Sequence, residues 1–150
     1  MHTTELNFDH RMDPAALRTA IENAMETHAI SMWQPGDVRA EHEIIVTISE
    51  IDGEFPTMVS ITDMQASTPL TVDQIRRIGE QLASIILTDS VHTVDEPLYD
   101  DGYTMITPSG ALEVLTAEED DLDAGLIVLT PESRLRYQRA SSRLALIAAG

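Results

Sequence analysis

Residues 41 to 63, EHEIIVTISEIDGEFPTMVSITD, decide the fold class of this chain. Ile44, Val46 and Ile48, and then Val59 and Ile61, recur every second residue, the period of a strand with one face in a core. Asp52-Gly53 between the two runs is a two-residue turn signature, because glycine takes the left-handed conformation that such turns require. Pairing Ile51 with Glu54 across the turn sets Ile44 opposite Ile61, Val46 opposite Val59, Ile48 opposite Thr57 and Glu50 opposite Phe55. The apolar partners then share one face, and a one-residue slip scatters them. The expected unit is an antiparallel hairpin buried on one side.

Helices flank it. On the N-terminal side, Asp13-Pro14 supplies an N-cap and a first-turn proline. Leu17, Ile21, Ala24, Met25 and His28 follow at helical spacing, so a helix is expected to about Ala29, then a loop over residues 31 to 37 that holds the single tryptophan. Leu6 and Phe8 share a face if residues 3 to 9 add a strand. On the C-terminal side, Thr71 and Gln74 form a capping-box pair ahead of Ile75, Ile78, Leu82, Ile85 and Ile86, which predicts a helix from Val72 to Leu87. Residues 89 to 102 read as a loop. Tyr103 to Thr107 and Ala111 to Thr116 flank Pro108-Ser109-Gly110 as a second hairpin, with Ile106 near Leu112 and Thr104 near Val114. Leu126 to Thr130 is a short apolar strand, and Thr130-Pro131 opens a last helix to about Ala149 whose buried side carries Tyr137, Ala140, Leu144, Ile147 and Ala148. Single strands do not alternate with helices. The expectation is therefore one α+β domain over residues 1 to 150, three helices packed on a largely antiparallel sheet built from two hairpins plus a short strand.

Composition narrows the function. The chain has 150 residues, 43% of them hydrophobic, and only six aromatic, so Ile, Leu, Val and Met must fill the core. It has no cysteine, hence no disulfide, zinc-thiolate site or thiol nucleophile. It also has no lysine: nine arginines face 26 Asp and Glu, for a net charge of −17. Apolar runs such as Leu144 to Ala149 are far shorter than the ~20 residues that span a bilayer, and the N-terminus lacks the features of a signal peptide. A cytoplasmic protein is expected. Such a charge repels nucleic acid and anionic membranes, so direct binding to either is disfavoured, and basic protein surfaces are the favoured partners.

Catalytic and cofactor motifs are few. The chain holds no Gly-x-Ser-x-Gly elbow and no Gly-rich nucleotide loop, so neither a catalytic residue nor a cofactor is assigned. His42 sits between Glu41 and Glu43, but neighbours on a strand point to opposite faces and cannot share a metal's inner ligand set. His28 and His42 with a carboxylate would make a metal-assisted enzyme or cation binder, without a supporting ligand spacing. The run from Glu118 to Asp123 departs from the EF-hand pattern in the place of its glycine and lacks the final Glu, so it reads as a solvated loop.

Two charged features remain as candidate interaction sites. Asp95, Glu96, Asp100 and Asp101, with Glu118, Glu119, Asp120, Asp121 and Asp123, fall in expected loops and would meet a basic partner. Arg136, Arg139 and Arg143 line the flank of the last helix; residues 131 to 150 carry a net +3 against −20 for the rest. That row either borders the helix where it docks on its own acidic body or recognises an acidic partner. The expected function is a non-enzymatic acidic interaction protein that binds a basic protein surface, in its sharper form a nucleic-acid mimic or inhibitor. The alternatives are the small metal-assisted enzyme and a structural subunit of a larger assembly, such as that of a phage.

Overall fold

The computed structural model describes residues 1–27, 30–32, 44–89, 102–118 and 126–149. In chain order they form β1 (His2–Phe8), α1 (Pro14–Met25), β2 (Ile30–Met32), β3 (Ile44–Glu50), β4 (Thr57–Asp63), α2 (Val72–Leu82), β5 (Ile86–Thr88), β6 (Gly102–Ile106), β7 (Leu112–Thr116) and α3 (Pro131–Ala149). The fold is α+β, with the strands in one sheet of order β2-β3-β4-β1-β5-β6-β7. All neighbours are antiparallel except β2 and β3. This sheet is larger than two hairpins and a short strand, and β1 lies at its centre.

Alternation along the strands makes two cores. Leu6 and Phe8 of β1, Val46, Val59, Ile61 and Ile86 pack with Leu17 and Ile21 of α1 and Ile75 and Ile78 of α2. The opposite face gathers Phe55, Ile85, Leu87, Met105, Leu115 and Leu129, against which Tyr137, Ala140 and Leu144 of α3 are partly buried. The sheet is thus layered between α1 and α2 on one side and α3 on the other. The expected buried side of α3 holds for these three residues; the side chains of Ile147 and Ala148 lie outside the described set.

The first hairpin corrects the expected register. Ile44 stands opposite Asp63, Val46 opposite Ile61, Ile48 opposite Val59 and Glu50 opposite Thr57, a slip of two residues from the tight-turn pairing. Ile51 N donates to Pro56 O at 2.8 Å, so residues 52 to 55 all belong to the connection. Its cause is Phe55, which is fully buried in the second core with its ring centroid 5.0 Å from that of Tyr137. Burying an aromatic ring outweighs a shorter turn. Because side chains alternate with period two, the slip leaves Val46, Val59 and Ile61 facing inward. Gly53, at φ 118°, is bridged to Ile127, whose carbonyl oxygen is 3.2 Å from where a Cβ would stand.

Helix ends also differ from the periodic reading. In α2 the capping box is as expected, with Gln74 N donating to Thr71 Oγ1 at 3.1 Å and Thr71 N to Gln74 Oε1 at 2.9 Å. The helix stops at Leu82, however, not at Leu87, since Ala83 turns left-handed and Ser84 N closes on Gly79 O at 2.9 Å. Ile86 and Leu87 then enter the sheet in β5, and with Ile85 just before them they make a run of adjacent apolar residues buried on both faces. Similarly, α1 ends at Met25 rather than Ala29, because Glu26 adopts φ 55° and Thr27 N bonds Glu22 O at 3.1 Å. Ser31 and Met32, expected in a loop, belong to β2, which pairs with β3 through Ile30 opposite Ile44.

The second hairpin matches expectation, with Ile106 opposite Leu112 and Thr104 opposite Val114. Gly110 supplies the positive φ of 93°, and its N–H donates to Thr107 O at 2.9 Å. Residues 126 to 130 form isolated bridges instead of a full strand: Leu129 pairs with Ala117, and Glu118 N donates to Val128 O at 2.7 Å. No helix among the described residues is long and apolar enough to cross a membrane.

Two substitutions check these assignments. The cysteine-free background allows a direct register test, since Thr47 stands opposite Ser60. A Thr47→Cys/Ser60→Cys variant should oxidise readily to an intrachain disulfide, and Thr47→Cys/Met58→Cys, matching the tight-turn register, should not, as read by thiol titration and mass spectrometry. At Gly79 an added Cβ would lie 2.8 Å from Ser84 O and 3.3 Å from Ile86 Cδ1. Gly79→Ala should therefore lower stability by about 1–3 kcal/mol, despite the better helix propensity of alanine, and move the urea midpoint down at unchanged slope.

Candidate functional site

Charge separates to opposite ends of β5, β6 and β7. At one end Gly102 pairs with Thr116, Thr88 pairs with Thr104, and Thr88 Oγ1 donates to Glu5 O at 2.8 Å. This register gathers Glu5, Asp89, Gly102 and Glu118. The hydroxyl of Tyr103 feels the result: burial, then the charges of Asp89 and Glu5, raise its pKa above the ordinary 10.0. Two acid-rich stretches attach here. Residues 90 to 101, with Asp95, Glu96, Asp100 and Asp101, join Asp89 to Gly102; residues 119 to 125, with Glu119, Asp120, Asp121 and Asp123, follow Glu118. Those eight candidates lie outside the described residues, and Glu118 is exposed.

At the other end lies a half-open groove of about 830 Å³ between the end of α2, the β6–β7 hairpin tip and α3. All three arginines of the expected row, Arg136, Arg139 and Arg143, line it, and Arg76 of α2 joins them with Glu80 and Glu113. Leu112 and Leu144 contribute apolar surface. Arg76 is held by Asp73 at 3.1 Å and Glu80 at 2.6 Å, which raise its pKa further. Arg136 donates to Glu132 at 2.8 Å and to Val114 O at 3.3 Å. Among the described residues, Arg139 and Arg143 form neither a hydrogen bond nor an ion pair. The row was legible as a helical spacing; the contributions of Arg76 and the hairpin tip had no local signal.

A third cluster was not foreseen and serves the fold. Asp9, just past β1, has a side chain only 9% exposed, and its Oδ1 accepts from Ser84 Oγ at 2.8 Å and Ile85 N at 3.3 Å and lies 3.0 Å from His10 Nδ1. Its Oδ2 accepts from the Tyr137 hydroxyl at 3.0 Å. Serine, histidine, aspartate and tyrosine side chains meet here, yet Ser84 and His10 share one acceptor rather than facing each other, unlike a nucleophile and its base. What the carboxylate does is tie β1, β5 and α3 together. Arg134 Nε adds a 2.8 Å bond to Glu54, and Ser133 Oγ accepts from Thr116 N at 2.8 Å, so α3 docks on its own body.

The proposed metal ligands His28 and His42 lie outside the described residues, and among those described no group of three or more His, Asp or Glu is placed to hold a metal ion. Comparison with protein-family models, curated proteins and solved structures finds no match to this chain.

Burial first, and then the Asp9 charge, push the Tyr137 hydroxyl well above its ordinary pKa of 10.0. A raised tyrosine pKa means that the folded state holds its proton more tightly. Its stabilisation is complete below pH 10 and is lost as the pH climbs from the unfolded toward the folded value. Tyr137→Phe should cost about 1.5–3 kcal/mol at neutral pH, the loss of a hydrogen bond to a charged acceptor. It should also flatten the alkaline fall of stability above about pH 10, measured by urea denaturation across pH, with the remaining slope carried in part by Tyr103.

Proposed function

We propose that this chain is a non-enzymatic interaction protein whose acidic end binds a basic surface on a protein partner. The observation that carries the reading is the convergence of Asp89, Gly102 and Glu118 in the sheet register, with Glu5 beside them. Two stretches holding eight further carboxylates attach to these residues in the chain. Like charges brought together raise the local field and steer a cationic partner, most strongly at low ionic strength. The arrangement of the arginines supports the same reading. Six of the eight described are engaged by the protein's own carboxylates, namely Arg11, Arg18, Arg76, Arg77, Arg134 and Arg136. Those pairs draw on Glu50, Glu22, Asp73, Glu80, Glu54 and Glu132.

In its sharper form the acidic end imitates a phosphate backbone, and the partner is a nucleic-acid-binding protein that duplex DNA displaces. The test compares the parent with a variant carrying Asn or Gln at Asp95, Glu96, Asp100, Asp101, Glu118, Glu119, Asp120, Asp121 and Asp123. Partners captured from the native host should elute with salt from the parent and be lost from the variant, which should melt as the parent does. Displacement of the captured protein by duplex DNA identifies the mimic. Capture that persists undiminished in the neutralised variant overturns the proposal.

A further inference from the structure

Arg139 and Arg143 stand one helical turn apart on the same flank of α3, both exposed, and both facing the groove. Side chains at this spacing are neighbours, and two like charges there repel each other. In a chain with 26 carboxylates to nine arginines, local neutralisation is the expected outcome, and the other arginines of the groove achieve it through Asp73, Glu80 and Glu132. These two do not. Although Glu113 also lines the groove, it pairs with neither, and two guanidinium groups, each able to grip an oxyanion through a planar fork, are presented to a cavity. Beside them Leu112 and Leu144, both partly exposed, give the cavity an apolar wall. Its volume of about 830 Å³ lies in the range of small-molecule sites.

We propose that this groove binds a small organic oxyanion with an apolar body, Arg139 and Arg143 holding the oxyanion and Leu112 and Leu144 contacting the body. Charge selects a small ligand over a large one. The chain carries −17 overall, and every charge of an approaching anion feels that repulsion, whereas only the one or two within reach of Arg139 and Arg143 gain the local attraction. A singly or doubly charged molecule therefore suffers least, and an acidic peptide or nucleic acid most. Apolar contact supplies binding that the charge alone would not, because exposed ion pairs are weak. The inference does not depend on the acidic end having a partner, since the groove lies at the opposite end of β5, β6 and β7.

The test titrates the full chain with decanoate, phenyl phosphate, 1-decanol and hexaglutamate by isothermal calorimetry, beside an Arg139→Ala/Arg143→Ala variant. Both side chains are exposed and, among the described residues, unpaired, so the variant should keep the parent's melting temperature. Saturable binding of decanoate or phenyl phosphate is expected, whichever is tighter showing whether the oxyanion is a carboxylate or a phosphate. Affinity should fall about tenfold in the double variant, the loss of two partly solvated ion pairs. Arg139→Lys/Arg143→Lys should retain part of it, since charge remains and the fork is lost. Absence of saturable binding by either anion, equal binding of 1-decanol, or unchanged affinity in the double alanine variant overturns the proposal. Tighter binding of hexaglutamate than of both small anions would assign the groove to an acidic peptide instead.

Discussion

Three consecutive apolar side chains, Ile85, Ile86 and Leu87, must leave water on both faces of one sheet at once. Everything else is arranged around that demand. Ile86 needs a helix layer on its side, and α1 and α2 supply it; Ile85 and Leu87 need cover on the other, and α3 with Phe55 supplies that. The strand that Ile86 and Leu87 open is short, yet it joins β1 to β6 and so makes one sheet of two parts. It exists only because α2 ends early, at a left-handed Ala83, where Gly79 lets the backbone of Ser84 approach closely. Asp9 then locks the junction by accepting hydrogen bonds from Ser84, Ile85 and Tyr137.

The sequence was most legible where a local rule had no competitor. Thr71 and Gln74 cap α2, and Pro108-Ser109-Gly110 closes the second hairpin in the expected register, because both signals are complete within a few residues. It misled where two periods fit the same residues: Ile85 and Ile86 continue the helical stripe of Ile78 and Leu82 equally well as they make a strand. The first hairpin went astray through Phe55, whose burial depends on Tyr137, a residue far along the chain. In the candidate groove the Arg row was readable from helical spacing alone. Its opposing wall was not, since Arg76 and the β6–β7 tip arrive by tertiary packing without local signature.

Charge polarity and sheet topology are linked. Residues 90 to 101 join Asp89 to Gly102 and residues 119 to 125 follow Glu118, so both acid-rich stretches attach where Glu5, Asp89 and Glu118 converge. The hairpin tip at 108 to 110 is uncharged. That leaves the opposite end to the flank of α3, the part of the chain where arginine outnumbers acid. A strongly acidic protein can in this way keep a small electropositive concavity, provided the two are held a strand length apart and screening operates over about 8 Å.

The central place of β1 bears on how the chain reaches this state. The Asn7 amide bonds Leu87 O across 80 residues, and the Asp9 contact with Tyr137 spans 128. Loop closure over such separations must be endured before the contacts repay it, so folding is slow relative to a helical protein of this size. During translation β1 is made before either of its neighbours in the sheet, and its Leu6 and Phe8 have no permanent cover until β4 and the two helices follow. Late assembly around an early strand leaves the nascent chain open to wrong pairings at both edges of β1. The abundance of carboxylates, whatever partner they serve in the finished molecule, keeps such unfinished chains apart by mutual repulsion.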